Sequence, residues 1–124
     1  MNLSENLSQF RGTENYYKTF LFNPKLKHTD GVQYFANTAG AFWFLDIVST
    51  EIYKLTSQHD FIAITLDVDN EKAKITATDG NDNRIFQKNI SYTDCPNGSY
   101  SFWISGDVLM LPSEYWYETN WTIG

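Results

Sequence analysis

The sequence holds a single cysteine, Cys95, so no disulfide can form within the chain, and a reducing compartment suits it. No apolar stretch is long enough to cross a bilayer, and residues 1–12 place two Leu and one Phe among polar residues, unlike a signal peptide. A cytoplasmic protein without a membrane partner is expected. Positive charge is scarce, with nine Lys and Arg against fifteen Asp and Glu and a net charge of −6. Phosphate recognition relies on concentrated basic residues, so nucleic acid is not expected as a partner. The carboxylates form no run, which favours solubility over imitation of nucleic acid; an acidic inhibitor of a nucleic-acid-processing system is the weaker alternative. The seven glycines are dispersed over separate turns and form no phosphate-binding loop.

Catalytic signatures are missing as well. There is no G-x-S-x-G, and Cys95 precedes Pro96 in a polar loop without a cationic neighbour. His28 and His59 each have an acid close by, Asp30 and Asp60, yet no HxxxH, HxH or Cys-His spacing occurs, and cap or turn roles account for both acids. Asp79-x-Asn81-x-Asn83 opens like a calcium loop, but Arg84 stands where the glycine belongs and Ile90 replaces the bidentate Glu. No catalytic residue, metal ligand or cofactor is assigned, and an enzyme is less expected than a binding protein.

What the chain does have is aromatic surface. Four Trp, eight Tyr and nine Phe in 124 residues are too much apolar area for a disordered chain, and the length suits one domain, 1–124. Residues 41–55, AFWFLDIVSTEIYKL, contain neither Gly nor Pro, and Ala41, Phe44, Leu45, Val48, Ile52 and Leu55 recur at helical spacing. Phe42, Trp43 and Ile47 make the first half apolar on its other faces too, which predicts a central helix enclosed on several sides. Asp46 lies in that half. Its first reading is a structural polar group needing a partner; a pocket beside it would promote it to a ligand-binding or acid/base group.

Around this helix the order is helices, then strands. Residues 2–10 predict a short helix carrying Leu3, Leu7 and Phe10 on one face, and residues 16–22 (YYKTFLF) an extended segment ended by Asn23-Pro24. Lys18, Lys25 and Lys27 read as a solvated edge. Asp30 with Gln33 suits a capping box for a helix over 32–37. From residue 61 the period becomes two. Pairing about the loop 69–72 sets Val68 against Ala73, Leu66 against Ile75 and Asp67 against Lys74, so apolar and charge patterns agree on one register. Further strands are expected over 84–90, with Ile85 and Phe86 as alternative inward residues, then over 100–104 and 108–111. The predicted fold is α+β: N-terminal helices, with a central buried helix packed on one face of an antiparallel sheet of about four to five strands.

The aromatic, acidic ending supplies the candidate partner surface, Tyr115, Trp116, Tyr117 and Trp121. The same residues would equally serve as a lid on the core.

Three blocks, LSQFRGTENYY (7–17), TDGVQYFANTAGAFWFLDIV (29–48) and LMLPSEY (109–115), resemble a small bacterial family classed as a domain of unknown function. The resemblance implies a bacterial or mobile-element source and a cytoplasmic protein, and supplies no functional residues. The function expected is therefore a non-enzymatic accessory domain that binds a protein, or a second copy of itself as a homodimer, with a plasmid or phage as the suggested carrier. The alternative is a small-molecule-binding domain or unfamiliar enzyme with a pocket beside Asp46.

Overall fold

The computed structural model describes residues 3–20 and 23–115. Helix α1 (Leu3–Leu7) buries Leu3 and Leu7 and precedes strands β1 (Tyr17–Phe20) and β2 (Asn23–His28). Helix α2 (Asp30–Ala39) ends at Gly40, whose left-handed conformation (φ 63°, ψ 36°) lets the chain turn directly into α3 (Phe42–Ile47). Five strands follow: β3 (Phe61–Asp69), β4 (Lys72–Thr78), β5 (Arg84–Ile90), β6 (Gly98–Ser105) and β7 (Val108–Met110).

The expected sheet is corrected in strand number and type. Among the described residues it has seven strands in the order β1-β2-β7-β6-β3-β4-β5, and it is mixed, because β2 runs parallel to β7 through Lys27–Val108 and His28–Leu109. Strand β2 escapes a local reading because it opens on Asn23-Pro24, a turn signal. Only its later residues alternate, with Leu26 buried between exposed Lys25 and Lys27. Its place beside β7 depends on residues about eighty positions away, which no local pattern encodes.

The expected central helix is corrected too. In its place are α3, a π-helical turn at Val48–Ile52 and a 3-10 turn at Tyr53–Ser57. The Ser49 and Thr50 hydroxyls both donate to the Asp46 carbonyl, at 3.0 and 2.7 Å. Such bonds compete for the carbonyl and accompany the departure from α winding. Nor is the stretch enclosed all round. Phe44, Leu45, Val48 and Ile52 are buried, whereas Phe42 is 44% exposed and Asp46 and Thr50 face solvent.

The core lies on one face of the sheet. Ile62, Ile64 and Leu66 of β3, Ile75 of β4, and Tyr100, Phe102 and Ile104 of β6 join Phe35 of α2 and Phe44 of α3 in one cluster. Phe102 is the hinge of the aromatic contacts, 5.1 Å from the Phe35 ring and 4.8 Å from Phe44. The β3–β4 hairpin has the register expected, with Val68 opposite Ala73, Leu66 opposite Ile75 and Asp67 opposite Lys74. In β5 the inward choice falls on Phe86, opposite buried Ala77, and an irregularity follows at Thr78.

The β3–β4 turn carries a testable cost. Asn70 and Glu71 both have positive φ, 51° and 65°, the geometry of a type I′ turn, which favours Asn-Gly. Glu71→Gly should therefore stabilise the protein by about 0.5–1 kcal/mol, seen as a higher urea midpoint with an unchanged slope. An unchanged or lower midpoint would contradict the turn assignment.

Candidate functional site

Two adjoining features hold most of the unusual chemistry: a polar junction at the start of α2, and a serine-lined cleft beside it.

The first backbone N–H groups of a helix have no partner inside it. In α2 they are met from a distance. The Asp30 N–H donates to Thr13 Oγ1 at 2.8 Å, and the Gly31 N–H donates to Glu114 Oε2 at 3.1 Å. Thr29, at the cap position, uses its hydroxyl to donate to Glu114 Oε1 at 2.5 Å. Glu114 Oε1 also accepts the Leu111 N–H at 2.9 Å. This last bond is half of a capping box: Leu111 caps, Pro112 is the first residue of the helical turn at 112–115, and Glu114 is the third. One carboxylate thus caps two helical starts more than eighty residues apart.

Glu114 is fully buried. Burial pushes its carboxyl above the usual carboxylate range, with a small push from Asp30, while the bonds from Thr29, Leu111 and Gly31 pull against it. A buried carboxylate costs several kcal/mol unless donors surround it. Here three do. Gly31 makes room for them, since a β-carbon there would lie 2.5 Å from Leu111 Cδ1 and 2.9 Å from Glu114 Oε1.

The expected capping box between Asp30 and Gln33 does not form. Asp30 instead accepts from the Glu14 N–H (2.9 Å), the Tyr17 hydroxyl (3.0 Å) and the Asn15 amide (3.4 Å). Partial burial works to raise its carboxyl, but these bonds together hold it below the usual range. Gln33 turns to His28, accepting from Nε2 at 2.6 Å, while Nδ1 accepts from Thr19 at 3.0 Å. Tyr17 stacks on the imidazole at 5.4 Å. Burial lowers the pKa of His28, against the Gln33 bond, and both ring nitrogens are engaged. The ring positions its neighbours and has no free nitrogen for proton transfer.

The cleft has a volume of about 280 Å³ and is lined by Ser4, Leu7 and Ser8 of the α1 region, Ser99, Tyr100 and Ser101 of β6, and residues 111–113. Among the described residues, no Asp, Glu, His, Lys, Arg or Cys lines it. Ser113 contributes a buried hydroxyl without a hydrogen-bond partner among the described residues. Such a group is rare and costs about 1–3 kcal/mol. Floor and junction are continuous, because Leu111 lines the cleft and donates to Glu114.

The residues singled out in the sequence lie elsewhere. Asp46 is exposed on α3 and does not line the cleft. Tyr115 is half-buried, edge-on to Trp103 at 5.2 Å and to Phe61 at 6.1 Å. Trp116, Tyr117 and Trp121 lie outside the described residues. His28 and His59 do not form a site together, and among the described residues no three His, Cys, Asp or Glu side chains gather as metal ligands. The Asp79 carboxylate is occupied by Asn81 and Asn83 within its own turn. Burial pushes the Cys95 thiol up to about 11, which makes it a poor nucleophile. Glu114 was the residue missed. Leu-Pro-Ser-Glu carried a local signal, proline at the first helical position and Glu at the third, but not its remote partners.

By fold and site this is a mixed-sheet protein with short helices over one sheet face and a serine-lined cleft beside β6. The chain belongs to the family of unknown function DUF6876, which matches residues 1–115, in agreement with the resemblance carried by the three sequence blocks. Those blocks meet at the junction: 7–17 supplies Thr13, Asn15 and Tyr17, 29–48 supplies Thr29 to Gly31, and 109–115 supplies Leu111 and Glu114. A crystal structure of a protein of unknown function from Enterococcus faecalis is similar over 81% of this chain and 97% of that one, with 12% identity and a TM-score of 0.50. At that identity the likeness speaks for fold alone. No curated protein matches the chain. Among the described residues no helix is long and apolar enough to cross a membrane.

Glu114→Ala would strand three donors, so it should lower stability by at least about 2 kcal/mol, and Gly31→Ala should also destabilise through steric overlap. Chemical denaturation measures both; wild-type midpoints would refute the junction. His28 gives a pH signature. Its folded pKa lies below the ordinary 6.5, so its stability contribution is full above that value and is lost as pH falls through it. Glu114 acts oppositely, contributing below its ordinary 4.5 and losing that contribution as pH rises through the raised folded value. The drop in midpoint from about pH 7.5 to about pH 5.5 should therefore shrink in His28→Gln. An equal drop in both proteins would show that His28 is not held neutral by burial.

Proposed function

We propose that this chain is a non-enzymatic binding domain, a single unit over its 124 residues, whose binding element is the serine-lined cleft. The observation that carries this is an open cavity of about 280 Å³ with no charged side chain in its described lining. Five serines surround the space, with Leu7, Leu111, Pro112 and Tyr100 as apolar wall. A hydroxyl without an adjacent base is a poor nucleophile. Tyr100, the one titratable group among the described residues lining the cleft, is pushed up to about 12, chiefly by burial, and donates to the Pro96 carbonyl. The site suits recognition of an uncharged, hydrogen-bonding group.

A protein is the partner class we favour, as an accessory function in a bacterial cytoplasm. The lone cysteine supports a reducing setting. Tyr115, Trp116, Tyr117 and Trp121 remain a proposed second contact surface, resting on their composition. Tyr115 already packs against Trp103 and Phe61, so it would contribute the remainder of its ring.

Amide shift mapping with a library of uncharged hydroxyl and amide fragments tests the reading. Shifts should gather on Ser4, Ser8, Ser99, Ser101 and Ser113. They should vanish in Ser8→Trp, which fills the cleft from an exposed position while leaving the core intact. Fragments that never shift these residues, or that gather at Asp46 or Tyr115 instead, would overturn it.

A further inference from the structure

The wall formed by β6 is a strand edge. The carbonyls of Leu109 in β7 and of Asp107 just before it accept from the Thr29 and Lys27 N–H groups of the β2 side. Backbone polarity alternates along a strand, so Val108 and Met110 face β6, where they oppose Ser105 and Trp103. It follows that the odd-numbered residues of β6 direct their N–H and C=O towards the β7 side.

The hairpin gives the same answer independently. Its two-residue loop, Asn70-Glu71, makes Asp69–Lys72 a hydrogen-bonded pair. Hence Asp67 and Thr65 bond to β4, while Leu66 and Ile64 bond to Tyr100 and Phe102. Ser99 and Ser101 again point away from β3, towards the cleft that they line.

Among the described residues no strand meets them there, because β7 pairs only with Trp103, Ile104 and Ser105. The reason is in the sequence. Continuing the register by two residues would set Pro112 opposite Ser101, and proline has no N–H to give. The chain turns into the helical turn at 112–115 and leaves the edge behind. No other described residue hydrogen-bonds to the Ser99 or Ser101 backbone.

We infer that the cleft receives a short extended peptide from a protein partner, which adds to β6 by main-chain hydrogen bonds at Ser99 and Ser101. This rests on the cleft being the binding element and names its ligand. Residues 99 and 101 present two N–H and two C=O groups at a two-residue repeat of about 6.8 Å, the spacing an added strand matches. The described lining carries no charge, so the seated residues are uncharged. Residues 98–102 set the limit at three or four seated residues. The contact is small, so binding is weak on its own.

Amide exchange on the full chain tests this, with capped tetrapeptides of Gly, Ala, Ser, Thr and Val as the probe. In the free protein Ser99 and Ser101 amides should exchange faster than those of Tyr100 and Phe102. At about 90% occupancy by a binding peptide their exchange should slow about tenfold, and the backbone-N-methylated counterpart should produce no slowing. Slow exchange of both amides in the free protein at every concentration would mean the chain covers its own edge. Slow exchange only at high concentration would mean a second copy does. Either overturns the inference, as does a peptide set that never protects Ser99 and Ser101. If uncharged fragments still shift the cleft residues in those cases, the binding element stands and only its ligand is wrong; if fragments fail as well, both readings fall.

Discussion

The buried carboxylate of Glu114 is the constraint on which the rest of the structure depends. It is costly to bury, so it must be met by donors, and the donors available are the open ends of two helical starts. Satisfying them ties the start of α2 to the turn after β7 across most of the chain. Gly31 follows as a steric necessity. Thr13 and Asp30 complete the same junction from the N-terminal side, which brings the loop before β1 against α2. The orientation of α2 over the sheet, and with it the Phe35–Phe102 contact at the centre of the core, rests on this arrangement.

The same turn explains the cleft. Pro112 stops β7 after three residues and begins the helical turn that delivers Glu114 to its pocket. An edge of β6 is left open, and α1 and residues 111–113 wall it without pairing to it. Exposed edges are usually blunted by charge, proline or cover. This one is short and recessed, and it contains polar groups that the described residues leave unmatched. Stability at the junction and openness at the cleft are two consequences of one sequence, Leu-Pro-Ser-Glu.

Legibility in the sequence followed range. The β3–β4 register was readable because alternation and the Asp67–Lys74 pair both act between neighbours in the chain. The helical character of residues 41–55 was readable from periodicity, but its winding was not, since that is accompanied by Ser49 and Thr50 bonding to one carbonyl. Asp46 drew attention as a carboxylate among apolar residues; the fold turns that side of α3 to solvent, so the expected burial does not arise. Strand β2 stayed hidden because a parallel partner leaves no local trace and Asn23-Pro24 mimics a turn. Glu114 was half legible, as a capping residue of its own turn. Its bonds to Thr29 and Gly31 required the fold, and so did the cleft, which three distant segments share.

The central claim is that one carboxylate holds both helical starts, so the two must open together. Native-state exchange of the Gly31 and Leu111 amides measures this most directly. The account predicts that both exchange with a common opening free energy, close to that of global unfolding. Leu111 exchanging through easy local fraying while Gly31 stays protected would contradict it.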